Sequence, residues 1–524
     1  MTPATGAASE GSSRTRVVVR NSLWLSLDAV VSLVASLALS IAVARSLGPT
    51  VLGVYNYAMW LLSSAAAITA TGVAYGMQQF AAERLGRGDL AGAAAVLRRG
   101  FRWQLALATL IVAAGATAVV GFAPSAFRVP LLIAVASIAP GLLVSVPAGG
   151  LSAAQEYSGN VFSSIAAVAV NVSLVSVALL SGWGLTGLTT ALLLSRCTDL
   201  AARSLAWRRT YRALSRGTAV RVAAMSAGDS ERMRRYAWRS SVLLLIDLVI
   251  WDRSEFVVLT HFTGLHEVAF YSLSFNIVQQ ALMLPKMLSW AIGANLLVER
   301  GRDPETATRL WRDAIRYVFF LAAPLTLGLA AIDRAILPLL YGHQYDDAIP
   351  VLTVIGGLAA LRGAVVPVQQ LLRMNEEQVF LIRFGVIMGL VNIALDLWLI
   401  PSGGAVGAAW ANGIVQSLTM AGMTIYAARR LALRVPLADM ARALAACVPM
   451  VVVARVLANL LPHWPAVLVA VPLGAALYGL SLKWLGAFRE ADEVRLASLD
   501  HLLPARLRET YRSALRWLAA PQTA

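Results

Sequence analysis

Long, nearly unbroken apolar runs dominate the chain, with short polar stretches between them. A helix crossing the hydrocarbon core of a bilayer needs about 20 mainly apolar residues. Fourteen runs reach that length, at roughly 23–44, 54–76, 101–122, 129–150, 160–181, 185–205, 240–260, 268–297, 315–337, 348–372, 379–400, 405–427, 443–461 and 466–485. They predict an all-α integral membrane protein of fourteen transmembrane helices. Residues 1–21 are small, polar and Ser/Gly-rich, which predicts a disordered tail. No cleavable signal is expected before the first run, which begins only after Arg14, Arg16 and Arg20.

Composition agrees with the runs. Hydrophobic residues make up 58% of the 524 and charged residues 14%, with a mean hydropathy of +0.68. A soluble fold carries about 25% charged residues, so too little polar surface is left here to cover a water-soluble particle. Cys197 and Cys447 both fall inside apolar runs, which excludes a disulfide scaffold and a zinc site.

The net charge of +16 depends for its meaning on where the basic residues sit. With the N-terminus cytoplasmic, 36 of the 44 basic residues fall on inner segments, and outer loops hold only Arg45 and Arg128. The charge is therefore a topology signal that places both termini in the cytoplasm. No nucleic-acid partner is needed to explain it, and anionic membrane lipid is the expected contact. Two inner segments are sizeable: a basic linker, 206–238, and the tail 486–524. In that tail Leu496, Leu499, Leu502, Leu503, Leu507, Tyr511, Leu515 and Leu518 follow helical spacing and predict an amphipathic helix at the inner face.

The chain also repeats itself at an offset of about 220 residues. Arg20-Asn21-Ser22 and Arg239-Ser240-Ser241 each enter a run, and an acid follows eight residues after each arginine, at Asp28 and Asp247. Gly48 with Tyr55 matches Gly264 with Tyr271. Gln155-Glu156 matches Asn375-Glu376, and Val170-Asn171 matches Val391-Asn392. Gly184-Leu185-Thr186-Gly187 with Ala191 matches Gly404-Ala405-Val406-Gly407 with Ala411. Six runs separate the copies, so both have the same orientation. The prediction is a six-helix lobe at 22–205, a second at 239–427, related to it by a pseudo-two-fold axis along the membrane normal, and two further helices at 428–485. Two such lobes suit a central cleft opening to either side.

At these residues the chain resembles the polysaccharide-export flippases of the multidrug, oligosaccharidyl-lipid and polysaccharide exporter superfamily. The similarity is carried by Ala44-Arg45-Ser46-Leu47-Gly48-Pro49 through Gly53-Val54-Tyr55, Trp251-Asp252-Arg253-Ser254-Glu255 and Val268-Ala269-Phe270-Tyr271-Ser272-Leu273. Leu340-Tyr341-Gly342 with Tyr345 and Ala348, and Gly404-Ala405-Val406-Gly407-Ala408-Ala409, complete the set. The resemblance implies a bacterial cytoplasmic (inner) membrane protein that moves an oligosaccharide on polyprenyl pyrophosphate from the inner to the outer leaflet. It also implies the polysaccharide-assembly machinery as a partner.

Ionisable residues at mid-bilayer cost about 2.5–3.5 kcal/mol on insertion scales and are functional candidates for that reason. The seventh run holds Asp247, Asp252, Arg253 and Glu255 at depths of about 12–24 Å. On a straight helix Asp247, Trp251 and Glu255 share one face, while Arg253 points about 120° from Asp247. Either some of these groups pair between helices, or the helix bends near Trp251. In a functional reading Arg253 holds pyrophosphate oxygens. Trp251 then lies against a sugar ring, and the carboxylates of Glu255, Asp247 and Asp28 bind hydroxyls or carry a coupling ion, proton or sodium. In the structural alternative Arg253 is neutralised by Asp252 or Glu255. Arg362 has no acid at helical spacing and is a substrate candidate. Arg196 is another, although Asp199 three residues on offers it a local pair. Lys286 and Arg334 are expected to snorkel, and Asp396 comes out near the outer face. His261, His266, His343 and His463 lie on outer loops, where water explains them without a further role.

Three functions compete. A lipid-linked oligosaccharide flippase accounts for arginines in the membrane and for two extra helices. A drug or cation antiporter of the same superfamily predicts a twelve-span core and an acid-lined pocket. A membrane glycosyltransferase or polymerase needs a substantial outer loop, which is missing, so no enzyme is expected. No Gly-rich Lys-Ser/Thr loop is present, so neither ATP nor another cofactor is expected to drive the chain.

Overall fold

The computed structural model describes the chain except residues 1–3, 216–225, 252–254, 290–303, 376, 432–434, 489–491, 493–507, 510–511, 514–515 and 517–524. Its described residues are all-helical and form two compact units, Met1–Leu248 and Val249–Ala524.

The first unit comprises α1 (Ala4–Gly86), α2 (Leu90–Phe122), α3 (Ser125–Ala136), α4 (Ile138–Leu143), α5 (Ser145–Ala153), α6 (Tyr157–Leu180), α7 (Gly184–Leu214) and most of α8 (Ala227–Trp251). The helix α1 starts inside the segment expected to be disordered. Extending an existing helix adds one hydrogen bond per residue and avoids the cost of a new nucleus. A core of Val73, Met77, Phe80, Val96, Leu97, Met233 and Ala237 packs the second half of α1 against α2 and the start of α8. Arg84 reinforces it, donating to Asp89 (2.9 Å) and Asp229 (2.6 Å). The basic segment 206–238 is thus helical at both ends and docked on its own unit. Asp89 also caps α2 by accepting from the Gly92 amide (2.7 Å), and this bond, with Arg84 behind it, holds the carboxyl below the usual range.

The second unit comprises α9 (Glu255–Phe262), α10 (Leu265–Ala281), α11 (Pro304–Ala331), α12 (Asp333–Tyr341), α13 (Ile349–Ala359), α14 (Val365–Met374), α15 (Gln378–Arg430), α16 (Leu437–Leu460) and α17 (His463–Trp484). The last two helices are part of the unit's core. Trp311, Ile315 and Phe319 of α11 pack with Ala443, Cys447 and Met450 of α16 and Tyr478 of α17. Buried Asp333 of α12 pairs with Arg455 of α16 and accepts from Thr353 of α13.

Eight helices among the described residues are long and apolar enough to cross a membrane. Two of them, within α1 and α15, contain a glycine at which the backbone leaves helical geometry, so each carries two of the fourteen runs. A bent pair between His343 and Arg373 makes a ninth candidate. The run at 185–205 lies in α7, which carries Arg196, Asp199 and Arg203, and the seventh and eighth runs include undescribed residues. Trp183, Trp464 and Trp484 are exposed at helix ends, and Trp398 is exposed six residues before the break at Gly404, positions where indoles favour the membrane–water boundary. The molecule is a multi-pass membrane protein.

The glycines matched by the repeat have matched backbones. Gly48 (φ 74°, ψ 169°) and Gly264 (φ 118°, ψ 172°) share a left-handed, extended geometry that only glycine adopts readily. Gly184 and Gly404 share φ values of 54° and 53°. Three residues after each of this second pair, Gly187 and Gly407 let the two arms of a helical hairpin touch. A Cβ on Gly407 would overlap the Leu399 carbonyl oxygen, and one on Gly187 would meet Ala178 and Trp183. Small residues at such contacts allow helices to approach closely in lipid. Gly407→Ala is therefore expected to lower stability by about 1–3 kcal/mol, the usual cost of overpacking. Gly403→Ala, where nothing lies within 4 Å, serves as the near-neutral control in a thermal melt of the purified protein.

Candidate functional site

The polar interior of the second unit is built around the fold-back at Gly404. Asp396 and Asn412 stand eight residues before and after that glycine. On a straight helix they would be about 24 Å apart. The break turns α15 back on itself, and both come to Glu255 at the start of α9. Asn412 donates to Glu255 Oε1 (2.6 Å), and the Asp396 carboxylate acts electrostatically on Glu255. Asn392, one turn before Asp396, donates to its Oδ2 (3.0 Å). Tyr271 of α10 and Asn392 border the Glu255 carboxylate as well. Glu255, Asp396, Asn392 and Asn412 are all buried.

One cation acts on this group among the described residues. The Arg362 guanidinium lies over the Phe275 ring (5.6 Å to its centroid), within electrostatic reach of Tyr271 and Glu255. It makes no direct ion pair with either carboxylate among the described residues. Two acids and one guanidinium leave one negative charge over in an apolar interior, where an unbalanced charge is costly. Two carboxylates, two amide oxygens and a phenol form an all-oxygen donor set suited to a monovalent cation or a proton. Among the described residues no group of three or more His, Cys, Asp or Glu side chains forms a metal site.

The other candidates fall in different places. Arg253 lies outside the described residues, while Asp247 and Trp251 are on α8 near the junction of the two units. Asp28, in the first unit, is half-buried, and its Oδ1 has no hydrogen-bond partner among the described atoms. Arg196, also in the first unit, does not pair with Asp199. It donates to the Ser137 carbonyl (3.2 Å), occupies the space left by Gly141 and is in electrostatic reach of Tyr55. Asp199 instead holds Arg203 at 2.6 Å, the i,i+4 partner on the same helix. Lys286 does not simply snorkel: its ammonium donates to Gln279 Oε1 (2.7 Å) in a half-buried position.

The sequence singled out Glu255 and Arg362, which the structure brings within electrostatic reach of each other, set Asp396 near the outer face, and did not single out Asn392 or Asn412 as polar interior groups. The available signal was Val391-Asn392 in the internal repeat, together with an amide and an acid spaced one helical turn apart.

An all-helical multi-pass membrane fold with acids buried in its interior is the class these observations define. The fold is that of the superfamily the motifs resemble. It is similar to lipid II flippase MurJ in an inward closed conformation, with a TM-score of 0.69 at 12% identity over 88% of this chain and 97% of that one. It is also similar to an inward-facing multidrug resistance MATE family transporter of the MOP superfamily, with a TM-score of 0.61, 17% identity and coverage of 79% and 98%. A MOP superfamily transporter from Pyrococcus furiosus aligns with a TM-score of 0.56 at 16% identity, covering 80% of this chain and 96% of that one. No protein-family model matches the chain, and no curated protein is similar to it in sequence.

Proposed function

We propose that this chain is a flippase that moves a polyprenyl-pyrophosphate-linked oligosaccharide from the inner to the outer leaflet by alternating access. In this reading it sits in the bacterial cytoplasmic membrane with both termini cytoplasmic, as two repeated six-helix lobes and two further helices. It supplies the assembly of a cell-surface polysaccharide. The observation that carries the reading is the Glu255–Asp396 pair buried beside Arg362, because a membrane interior retains such groups at a cost that function repays. The acids take the coupling ion, proton or sodium. The substrate contacts in this reading are Arg362, whose guanidinium would hold pyrophosphate oxygens, and the residues singled out by the sequence alone: Arg253, Arg196, Trp251, Asp247 and Asp28. The motifs shared with polysaccharide exporters support the lipid-linked cargo.

The same acid pair favours a second reading, a drug or cation antiporter, in which no arginine contacts cargo. Depletion of the protein from producing cells separates the two. Mass spectrometry of the lipid extract, with an impermeant label for leaflet access, is expected to find intact polyprenyl-linked glycan trapped on the inner leaflet. Unchanged pools with normal sidedness would end the flippase reading and promote the antiporter.

A further inference from the structure

One face of α10 carries a graded row of charge. Tyr271, Phe275 and Gln279 follow at four-residue steps, each rising about 6 Å and turning about 40°, so they form one stripe. Tyr271 borders the Glu255 carboxylate, and Phe275 lies under the Arg362 guanidinium. Gln279 accepts from the Lys286 ammonium. Over about 12 Å the stripe runs from an acid pair, past an arginine, to a lysine. Its basic end is the C-terminal end of α10, the inner end in the orientation that the arginine distribution predicts.

Arg362 is the shared member of this row. On one side it is the only described cation acting on the acid pair. On the other it acts on Lys286, a like charge whose one hydrogen-bond partner among the described residues is a neutral amide. Two cations held one helical turn apart along α10, within electrostatic reach in a poorly solvated interior, repel each other, and an anion held by both removes that repulsion. A diphosphate suits the pair, because a guanidinium binds two of its oxygens in a fork and an ammonium binds a third as a point charge. Arg362 cannot serve the carboxylates and the phosphate equally. A cation on Glu255 and Asp396 cancels one of the two negative charges that compete for the guanidinium, and so strengthens its hold on the phosphate.

We propose that Arg362 and Lys286 form a phosphate-binding position in the second unit, linked through Arg362 to cation binding at the Glu255–Asp396 pair so that the two ligands bind cooperatively. The inference rests on the flippase reading for its direction of use, and it assigns Lys286, with Gln279 positioning it, to the substrate site. Linkage is reciprocal: the factor by which the cation tightens phosphate binding equals the factor by which phosphate tightens cation binding.

The test uses the full chain in lipid nanodiscs, with inorganic pyrophosphate and a polyprenyl pyrophosphate as separate probes. Calorimetry follows each Kd as sodium replaces choline at constant ionic strength, and again as pH is lowered without sodium. Sodium or acid is expected to tighten inorganic pyrophosphate binding by about tenfold. Glu255→Gln binds pyrophosphate tightly with no cation added. Arg362→Gln loses the cation dependence, and Lys286→Gln weakens pyrophosphate while keeping it. Should Arg362→Gln not fold, Glu255→Gln still decides from the acid side. An unchanged Kd in wild type under both titrations, or cation dependence surviving in Glu255→Gln, overturns the linkage. Linkage with inorganic pyrophosphate but no binding of the polyprenyl compound keeps the inference and rejects the lipid-linked cargo. Inner-leaflet glycolipid trapped on depletion, with no linkage here, does the reverse.

Discussion

Glu255→Gln is expected to reduce cation-dependent export at least tenfold while the chain remains folded in the membrane. The side chain is buried, and glutamine keeps its shape and its carbonyl oxygen for Asn412. What disappears is one negative charge. Asp396 and Arg362 then balance each other, and the charge that called for a proton or a monovalent cation is gone. Stability is expected to hold within about 1 kcal/mol or to rise, since a surplus buried charge has been removed. Asp396→Asn should behave in the same way, because the two acids act on each other. Asn412→Ala should be milder: it removes a hydrogen bond to a charged group, about 1.5–3 kcal/mol, but leaves the charge count intact. Transport in proteoliposomes at fixed membrane potential, with and without a sodium or proton gradient, reads the effect. Wild-type gradient dependence in Glu255→Gln would remove the acid pair from the coupling mechanism and leave the fold untouched.

The second large effect is structural and lies at the other end of the same unit. Arg316 of α11 is almost fully buried and grips Asp492, beyond the last membrane helix, with two hydrogen bonds of 2.6 and 2.9 Å. Its Nε lies 3.5 Å from Asp439 at the start of α16, and Tyr317 donates to Asp492 as well. One guanidinium therefore ties together α11, α16 and the segment after α17. Arg316→Ala takes the paired cation and two charged hydrogen bonds from the buried Asp492 carboxylate and is expected to cost about 3–5 kcal/mol. Asp439 loses less, because Arg442 remains 3.4 Å away. Arg316→Lys should rescue little, since an ammonium cannot reproduce the two-pronged contact. Thermal unfolding of the purified protein measures the loss, and hydrogen exchange should show it first at the start of α16. A shift in Arg316→Ala no larger than that of an exposed arginine, such as Arg87 or Arg128, would show that this network holds nothing.

Short-range pattern was enough for some of this. Apolar runs announced membrane helices because lipid demands a minimum length whatever the neighbours. The repeated glycines announced their own turns: Gly48, Gly264, Gly184 and Gly404 have positive φ because no other residue tolerates it cheaply. A buried acid such as Glu255 is conspicuous in any apolar run. Partners were less legible. Arg196 has Asp199 within a turn, yet the guanidinium turns to the Ser137 carbonyl and Asp199 takes Arg203. Helical spacing offers neighbours on both sides and does not rank them. Lys286 was expected to reach for the membrane surface and instead donates to Gln279, one helical turn beyond the Phe275 ring that carries Arg362.

The sequence by itself determined the solvent and the helices, which follow from residues within about twenty positions of one another, and it carries the internal repeat, which follows from short motifs matched about 220 residues apart. Only the tertiary structure decided that Asp396 and Asn412 meet at Glu255 and that Arg362 stands between them and Lys286. Those groups come from α9, α15, the 3-10 turn before α14, and the helical residues 283–289 that follow α10. Their meeting depends on how far α15 folds back at Gly404 and on which faces the packed helices present. Both are set by contacts between distant segments, and no local period in the chain records them.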